Sequence, residues 1–492
     1  MPEHEPTTPA SGDRPAHPSR RVLALIPPAV FALIGAAFIG SGYHEGRASW
    51  DSRHFHEPTV RALAEQLPAP DFSNYLTATT PGYHLLLALP VRAGLDSVPS
   101  MRVCSAVITA VLLFVLARAL VRRAPPLLGV ALTLPLIASN YTLLPGVFVL
   151  PDNLAWLLVL AVLLRTLAGR VSPGGLAVSG VLLALLVFTR QIHLWAAGLV
   201  WLGAWMAPDH DAERPLWAGV KRRLPRTLLG VACTLPAFAI VGWFYRLWGG
   251  LTPPRFQVTT QSWSPSLPAF LLLEIAVLSV FFAPWLLPRW LRARPDWRTI
   301  ALVVIACVPA IVLAIVPETT WSFDEGRASG WWNVVRRLPV IAGHTSVLVL
   351  LGAPAGAVAL LLWGAALSPR SRWIMGLGLL GFALSQTASA NVWQRYHEPF
   401  LLMLMAIACA ETHARGPGPR RTLPIGLASL AALACFLGAF TVLAVLGGDR
   451  DPDKQAPDVF GVERPEGAAP GTTPENREPG DPPRTPSSSP GP

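Results

Sequence analysis

Apolar residues run in stretches of membrane-spanning length along most of this chain, with short polar connections between them. Windows of ~20 residues place spans near 22–42, 102–121, 126–144, 152–169, 174–189, 191–207, 227–247, 267–288, 299–317, 344–367, 372–390, 398–411 and 423–446. The segment 82–95 is too short to cross and is interrupted by Pro90 and Arg92, so it is read as a helix lying in the interface. The pattern predicts an all-α fold: a polytopic membrane helix bundle of about 13 transmembrane helices, with interfacial helices in the loop after the first span.

Polarity also separates the ends of the chain from its body. Residues 1–20, rich in Pro, Glu, His and Thr, are expected to form a disordered cytoplasmic tail, and 448–492 a disordered Pro-rich one. Residues 21–447 form one transmembrane unit. Arg20 and Arg21 precede a first apolar run that is long enough to span and has no convincing cleavage site, which predicts an uncleaved helix.

Charge assigns the two sides. Lys and Arg cluster in every second connection, near 118–123, 170, 214–226, 289–298, 370–372 and 415–421. The alternating connections contain Glu45, Asp51, Glu57, Asp71, Asp152, Glu318, Asp324, Glu325 and Glu398. Under the positive-inside bias the first set is cytoplasmic and the second extracytoplasmic. Counting 82–95 as a crossing destroys this segregation.

Composition agrees. Only 14% of the residues are charged, against about 25% in a soluble domain, so the chain cannot cover itself with polar surface. The net charge of +10 reflects the basic connections and is no sign of a nucleic-acid partner; membrane lipids are the expected surroundings. The cysteines lie in apolar runs without CxxC spacing, which suggests neither a disulfide framework nor a zinc site. No metal or other cofactor is required by any motif, although a divalent ion is compatible with the acidic loop. The prevalence of Ala, Pro, Arg and Gly points to a GC-rich bacterial genome, hence a bacterial plasma membrane.

The unusual polar residues gather on the extracytoplasmic set of connections. The first loop contains WDSRHFHEP (50–58) and TATTPGY (77–83); PGVFVLPDN (145–153), TRQIH (189–193), the loop 318–343 and NVWQRYHEP (391–399) share its side. Asp51 is the candidate general base, with Glu45 as the alternative carboxylate and His54 or His56 assisting by contacting a phosphate or orienting the base. Two histidines two residues apart face one way only on extended backbone, so an HxH metal pair demands a strand-like segment there. Arg190 with Gln191, and Gln394 with Arg395 and Tyr396, are candidate contacts to a phosphate and a sugar, because guanidinium suits bidentate phosphate binding. Snorkelling arginines at span ends are the alternative. Asp152 either joins the site or caps its helix, and Thr79 and Thr80 either bind substrate or cap the helix that follows. Trp331, Trp332, Arg336 and Arg337 are either a glycan platform or interfacial anchors. Residues 57–67, with Val60, Leu63, Ala64 and Leu67 at helical spacing, predict an amphipathic surface helix. Charges kept to the loops, with no internal repeat, argue against a transporter.

A span, a long outer loop with an acidic residue, Phe55-His56-Glu57-Pro58, then Thr79-Thr80-Pro81-Gly82-Tyr83, Met101-Arg102, Arg190-Gln191 with Trp195, and Arg395-Tyr396 with Pro399 occur in that order between about 20 and 411. This ordered set resembles the GT-C superfamily of polyprenyl-phosphate-sugar-dependent membrane glycosyltransferases, in particular the dolichyl-phosphate-glucose alpha-1,2-glucosyltransferase family. The resemblance implies inverting transfer of a hexose from a polyprenyl-phosphate donor lipid to a hydroxyl of a glycan or lipid-linked acceptor on the extracytoplasmic face. It also brings Tyr83 among the substrate-binding candidates. Where the family has an Asp-Glu pair before its Phe-His, this chain has Ser52 and Arg53, and Asp51 stands one residue earlier. A transporter or flippase of lipid-linked saccharides is the alternative from another class.

Overall fold

The computed structural model describes residues 18–169, 171–207, 219–260, 262–293, 297–415 and 422–446. The expected tails fall outside these, apart from 18–20, which open the helix Pro18–Leu23. Arg170, the stretch 208–218 and the basic run 416–421 are likewise outside the described residues.

Every apolar window is helical. Seven helices among the described residues are long and apolar enough to cross a membrane: Arg20–Gly40, Val98–Arg123, Val220–Trp248, Leu267–Leu287, Trp297–Ile315, Val347–Ala366 and Thr422–Leu446. Pro126–Ala138 and Asn140–Val147 form a pair bent by 72°. The break is set by Ser139, whose extended backbone ends one segment while its hydroxyl accepts from the Tyr141 amide to start the next. The other windows hold shorter helices, such as Asp152–Ala168, Pro173–Thr189 and Glu398–Ala414, each of 17 residues. The protein is therefore an all-α, multi-pass membrane protein. Strand is confined to Val340–Ile341 paired antiparallel with Thr345–Ser346 among the described residues.

Glu398–Ala414 lies at the centre. Its residues from Pro399 to Ala410 are all buried, as expected for a helix that is apolar on every side. Trp297–Ile315, by contrast, keeps much of its surface exposed, the pattern of a helix facing lipid.

The first loop folds against this bundle. Glu57–Gln66 buries Val60, Leu63 and Ala64, the face its spacing predicts, while Leu67 packs at the edge. Gly82–Arg92 has 11 residues, or about 16 Å of rise, too little to cross. It opens with Gly82, where a Cβ would stand 2.6 Å from the Phe188 carbonyl oxygen. Only glycine lets the two helix ends approach so closely.

At the opposite end, Arg370 donates to the Thr166 carbonyl at 2.8 Å and Arg415 to that of Ala366 at 3.4 Å. Basic connections thus meet one another there, as the alternating charge pattern requires.

Candidate functional site

Asp51 ends the helix Gly46–Asp51, and its side chain is buried. Its Oδ2 accepts from Arg395 Nη1 at 2.7 Å and its Oδ1 from Arg47 Nε at 3.2 Å. Arg395 stands on the short turn Gln394–Tyr396, just before Glu398–Ala414. Its Nη2 donates to the Tyr396 hydroxyl at 2.9 Å, and its guanidinium lies 4.9 Å from both the Trp393 and Tyr396 ring centroids.

A second ion pair reaches the same ring. Arg190 follows the helix Pro173–Thr189 on extended backbone, and its Nη1 donates to Asp152 Oδ1 at 2.6 Å. The Arg190 guanidinium sits 4.7 Å from the Tyr396 centroid. Asp152 opens its helix after Pro151 and makes no capping bond; its carboxylate is held by Arg190, so the capping alternative is corrected. Tyr396 therefore carries two guanidiniums, each bonded to a carboxylate from a different part of the chain.

The loop shift that Asp51 demands has a backbone counterpart. Residues Ser52–His56 form a π-helical turn, with the Glu57 amide reaching back to the Ser52 carbonyl. A π turn holds one more residue than an α turn, and such turns often lie at functional sites. Ser52, at the position where the resembled family has an acid, is buried and structural. It donates to Glu57 Oε1 at 2.7 Å and accepts from the Val149 amide at 3.0 Å. Because the segment is helical, the extended HxH arrangement does not occur. His54 is exposed, stacked 4.6 Å from Trp50, with Nδ1 2.9 Å from the Trp50 carbonyl. His56 points inward, its Nδ1 2.7 Å from His84 Nε2. Burial first, then the positive charge of Arg395 and Arg190, pushes His56 down to about 3. Glu45 is half-buried, without a hydrogen bond or ion pair among the described residues, and adds its charge to burial in raising the Tyr43 phenol.

The remaining candidates brace the site. Thr80 donates through its hydroxyl to the Val187 carbonyl at 2.6 Å and through its amide to Gln191 Oε1 at 3.2 Å. Gln191 also donates to the carbonyls of Ala78 and Leu251, both at 2.9 Å, tying three segments together. Thr79 pairs with Thr77 at 3.2 Å. Neither threonine caps Gly82–Arg92, which corrects that alternative. Tyr83 is fully buried, with its hydroxyl 3.1 Å from Ser105. Gln394 donates to Glu398 and accepts from the Trp331 amide at 2.8 Å, fastening the loop 318–343 to the central helix. That loop forms no aromatic platform from Trp332: its ring is buried, stacked 4.5 Å from Phe270. Trp331 stacks on Phe436.

Sequence reasoning passed over four residues. Arg47 had a readable signal, an i,i+4 partner for Asp51. Tyr75 and His84 had none, because their link to His56 depends on how separate segments pack. Glu274 lies eight residues into the apolar span Leu267–Leu287, so the charges are not all kept to the loops. It is fully buried, 3.9 Å from His397 Nδ1, and neither side chain has a hydrogen-bond partner among the described residues.

Together these features define a multi-pass membrane protein with two ion pairs joined across one tyrosine at one end of its bundle. No family model matches the sequence, and no curated protein does; the resemblance to the dolichyl-phosphate-glucose family gains no support there. Among solved structures, ArnT from Cupriavidus metallidurans is similar in the apo state at 16% identity and, bound to undecaprenyl phosphate, at 17% identity. In both cases 85% of this chain and 77% of that chain are covered, at a TM-score of 0.37, a likeness too distant to bear on what this chain does.

Proposed function

We propose that this protein is a membrane glycosyltransferase of GT-C type, moving a hexose from a polyprenyl-phosphate donor to a hydroxyl acceptor on the extracytoplasmic face of a bacterial plasma membrane. One observation carries the reading: Arg190 and Arg395 lie 4.7 Å and 4.9 Å from the Tyr396 ring, with Asp51 bonded to Arg395. Two guanidiniums against one aromatic ring, within a largely buried shell, suit a phosphate oxyanion.

The chemistry follows from the charges. The acceptor oxygen attacks the anomeric carbon, and the bond from that carbon to the phosphate oxygen breaks. The departing polyprenyl phosphate takes the electron pair and is stabilised by Arg190 and Arg395. The acceptor proton passes to a carboxylate, assigned to Asp51, with Glu45 second. An oxyanion arriving at Arg395 competes with Asp51 for Nη1, so donor binding frees the carboxylate oxygen that takes the proton. The π turn at Ser52–His56 supports Asp51 in this role, since it supplies the one-residue offset from the family pattern. Thr79, Thr80, Tyr83, Gln191 and Gln394 act by holding the walls.

A flippase of lipid-linked saccharides draws support from Glu274 and His397, an ionisable pair inside the bundle of the kind transporters use. Incubating the purified protein with radiolabelled polyprenyl-phosphate hexose and lipid acceptors separates the two. Label appearing covalently on acceptor supports the transferase; label equilibrating across vesicles with the donor intact supports the flippase.

A further inference from the structure

His56 stands at the end of a hydrogen-bonded chain. Its Nδ1 lies 2.7 Å from Nε2 of His84, and Nδ1 of His84 meets the hydroxyl of Tyr75. All three side chains are buried, on three different segments: the π turn, the helix Gly82–Arg92 and the loop between them. Each contact between two neutral rings needs one donor and one acceptor. Once one proton in the chain is placed, the rest follow.

The Tyr75 end places it. A phenol, at about pKa 10, gives up its proton far more readily than a neutral imidazole N–H, so Tyr75 is the donor. His84 Nδ1 is then an acceptor and its Nε2 carries hydrogen. That N–H donates to His56 Nδ1, which forces the His56 proton onto Nε2. This Nε2 is the ring nitrogen of His56 with no hydrogen-bond partner among the described residues, in a ring that feels the charge of both Arg395 and Arg190.

We propose that Tyr75 and His84 are positioning residues that lock His56 in its Nε2–H tautomer, so that it presents a neutral N–H donor to the phosphate oxyanion held by Arg190 and Arg395. This rests on the phosphate site proposed above. Neutrality has a purpose there: beside two guanidiniums an imidazolium is disfavoured, whereas an N–H donor adds a directed bond to the oxyanion without further positive charge. His56 then stabilises the departing phosphate and takes no proton from the acceptor, leaving that task to the carboxylate.

The test joins a spectroscopic reading to binding. In detergent-solubilised full-length protein with 15N-labelled histidine, the His56 resonances should show hydrogen on Nε2, and Tyr75→Phe should mix the two tautomers. Affinity for polyprenyl phosphate should fall about tenfold or more in His56→Ala, and His56→Gln, whose amide keeps a neutral donor, should restore most of it. Tyr75→Phe should weaken binding in the wild-type background and have no further effect beside His56→Gln, since glutamine has no tautomer to fix. Inorganic phosphate, as the second probe, should show the same order of variants if the oxyanion rather than the lipid tail is read. A His56 proton on Nδ1, or a Tyr75→Phe loss that persists beside His56→Gln, overturns the positioning role while leaving the transferase reading intact. Failure of the wild type to bind either phosphate, with the tautomer as described, overturns the phosphate site itself and the oxyanion role of His56 with it.

Discussion

Asp51 and Arg395 are 344 residues apart in sequence, yet Oδ2 of one accepts from Nη1 of the other at 2.7 Å. This bond closes the first loop onto the turn that enters the central helix. It places a carboxylate and two guanidiniums around a single tyrosine.

The Arg190–Asp152 pair is more buried than a surface bridge, with side chains 11% and 4% exposed. Removing one partner strands the other charge. Asp152→Ala and Arg190→Ala should each destabilise the protein by about 3–5 kcal/mol. The double variant should cost less than the sum of the two, which thermal unfolding in detergent will measure. Strict additivity would show that the pair is not coupled.

Acid should destabilise the first loop. The unfolded chain takes up a proton at His56 near pH 6.5, whereas the folded protein holds the ring neutral down to about 3, through burial first and the neighbouring arginines second. Between those values the unfolded state binds the extra proton, so this contribution is fully present above about pH 6.5 and is lost as pH falls toward 3. His84 is lowered in the same direction by burial and by His56. The slope from His56 is at most about 1.4 kcal/mol per pH unit. Melting temperatures taken from pH 7.5 to 5 should fall less steeply in His56→Gln than in the wild type; equal slopes would refute the assignment.

Gly82→Ala should be among the most damaging small changes in the chain. The new methyl meets the Phe188 backbone oxygen at 2.6 Å, and backbone cannot step aside as a flexible side chain does. Strain of about 1–3 kcal/mol is expected, together with faster proteolysis of the loop 43–81 as the helix ends part.

Glu274 makes the opposite prediction for stability. Its carboxylate has no hydrogen bond among the described residues, and 3.9 Å to His397 is too long for one. Glu274→Gln should leave the unfolding midpoint unchanged or raise it, because a buried group without partners contributes desolvation cost and little else. A marked loss of stability would mean that the carboxylate is engaged. If the wild type equilibrates label across vesicles with the donor intact, loss of that equilibration in Glu274→Gln would favour the flippase.

Much of the architecture can be read from the sequence because lipid imposes a simple rule. Apolar windows of spanning length become helices, and a segment as short as Gly82–Arg92 does not cross. The buried stripe of Val60, Leu63 and Ala64 follows from period alone. The polar segments that the charge pattern assigns to one face also meet: Ser52 bonds to Val149, Thr80 to Gln191, Gln394 to Trp331 and Arg395 to Asp51. Pairing could not be read, because it depends on which helix ends adjoin. Asp152 resembles a cap in sequence and is Arg190's partner in space. Thr80 and Gln191, resembling substrate contacts, are spent on the carbonyls of Val187, Ala78 and Leu251. Tyr75 and His84 look ordinary until the interfacial helix brings them to His56. Trp332 is core because Phe270 lies beneath it, a contact across 62 residues that no local pattern announces.

Turnover of Asp51→Asn tests the central claim most directly. With radiolabelled polyprenyl-phosphate hexose and lipid acceptors, the wild type should transfer label. The variant, inserted and folded to the same extent, should lose at least about 10²-fold in rate, the scale of a missing general base. Transfer at the wild-type rate by Asp51→Asn, with loss in Glu45→Gln instead, would contradict the role given to the Arg395-bound carboxylate.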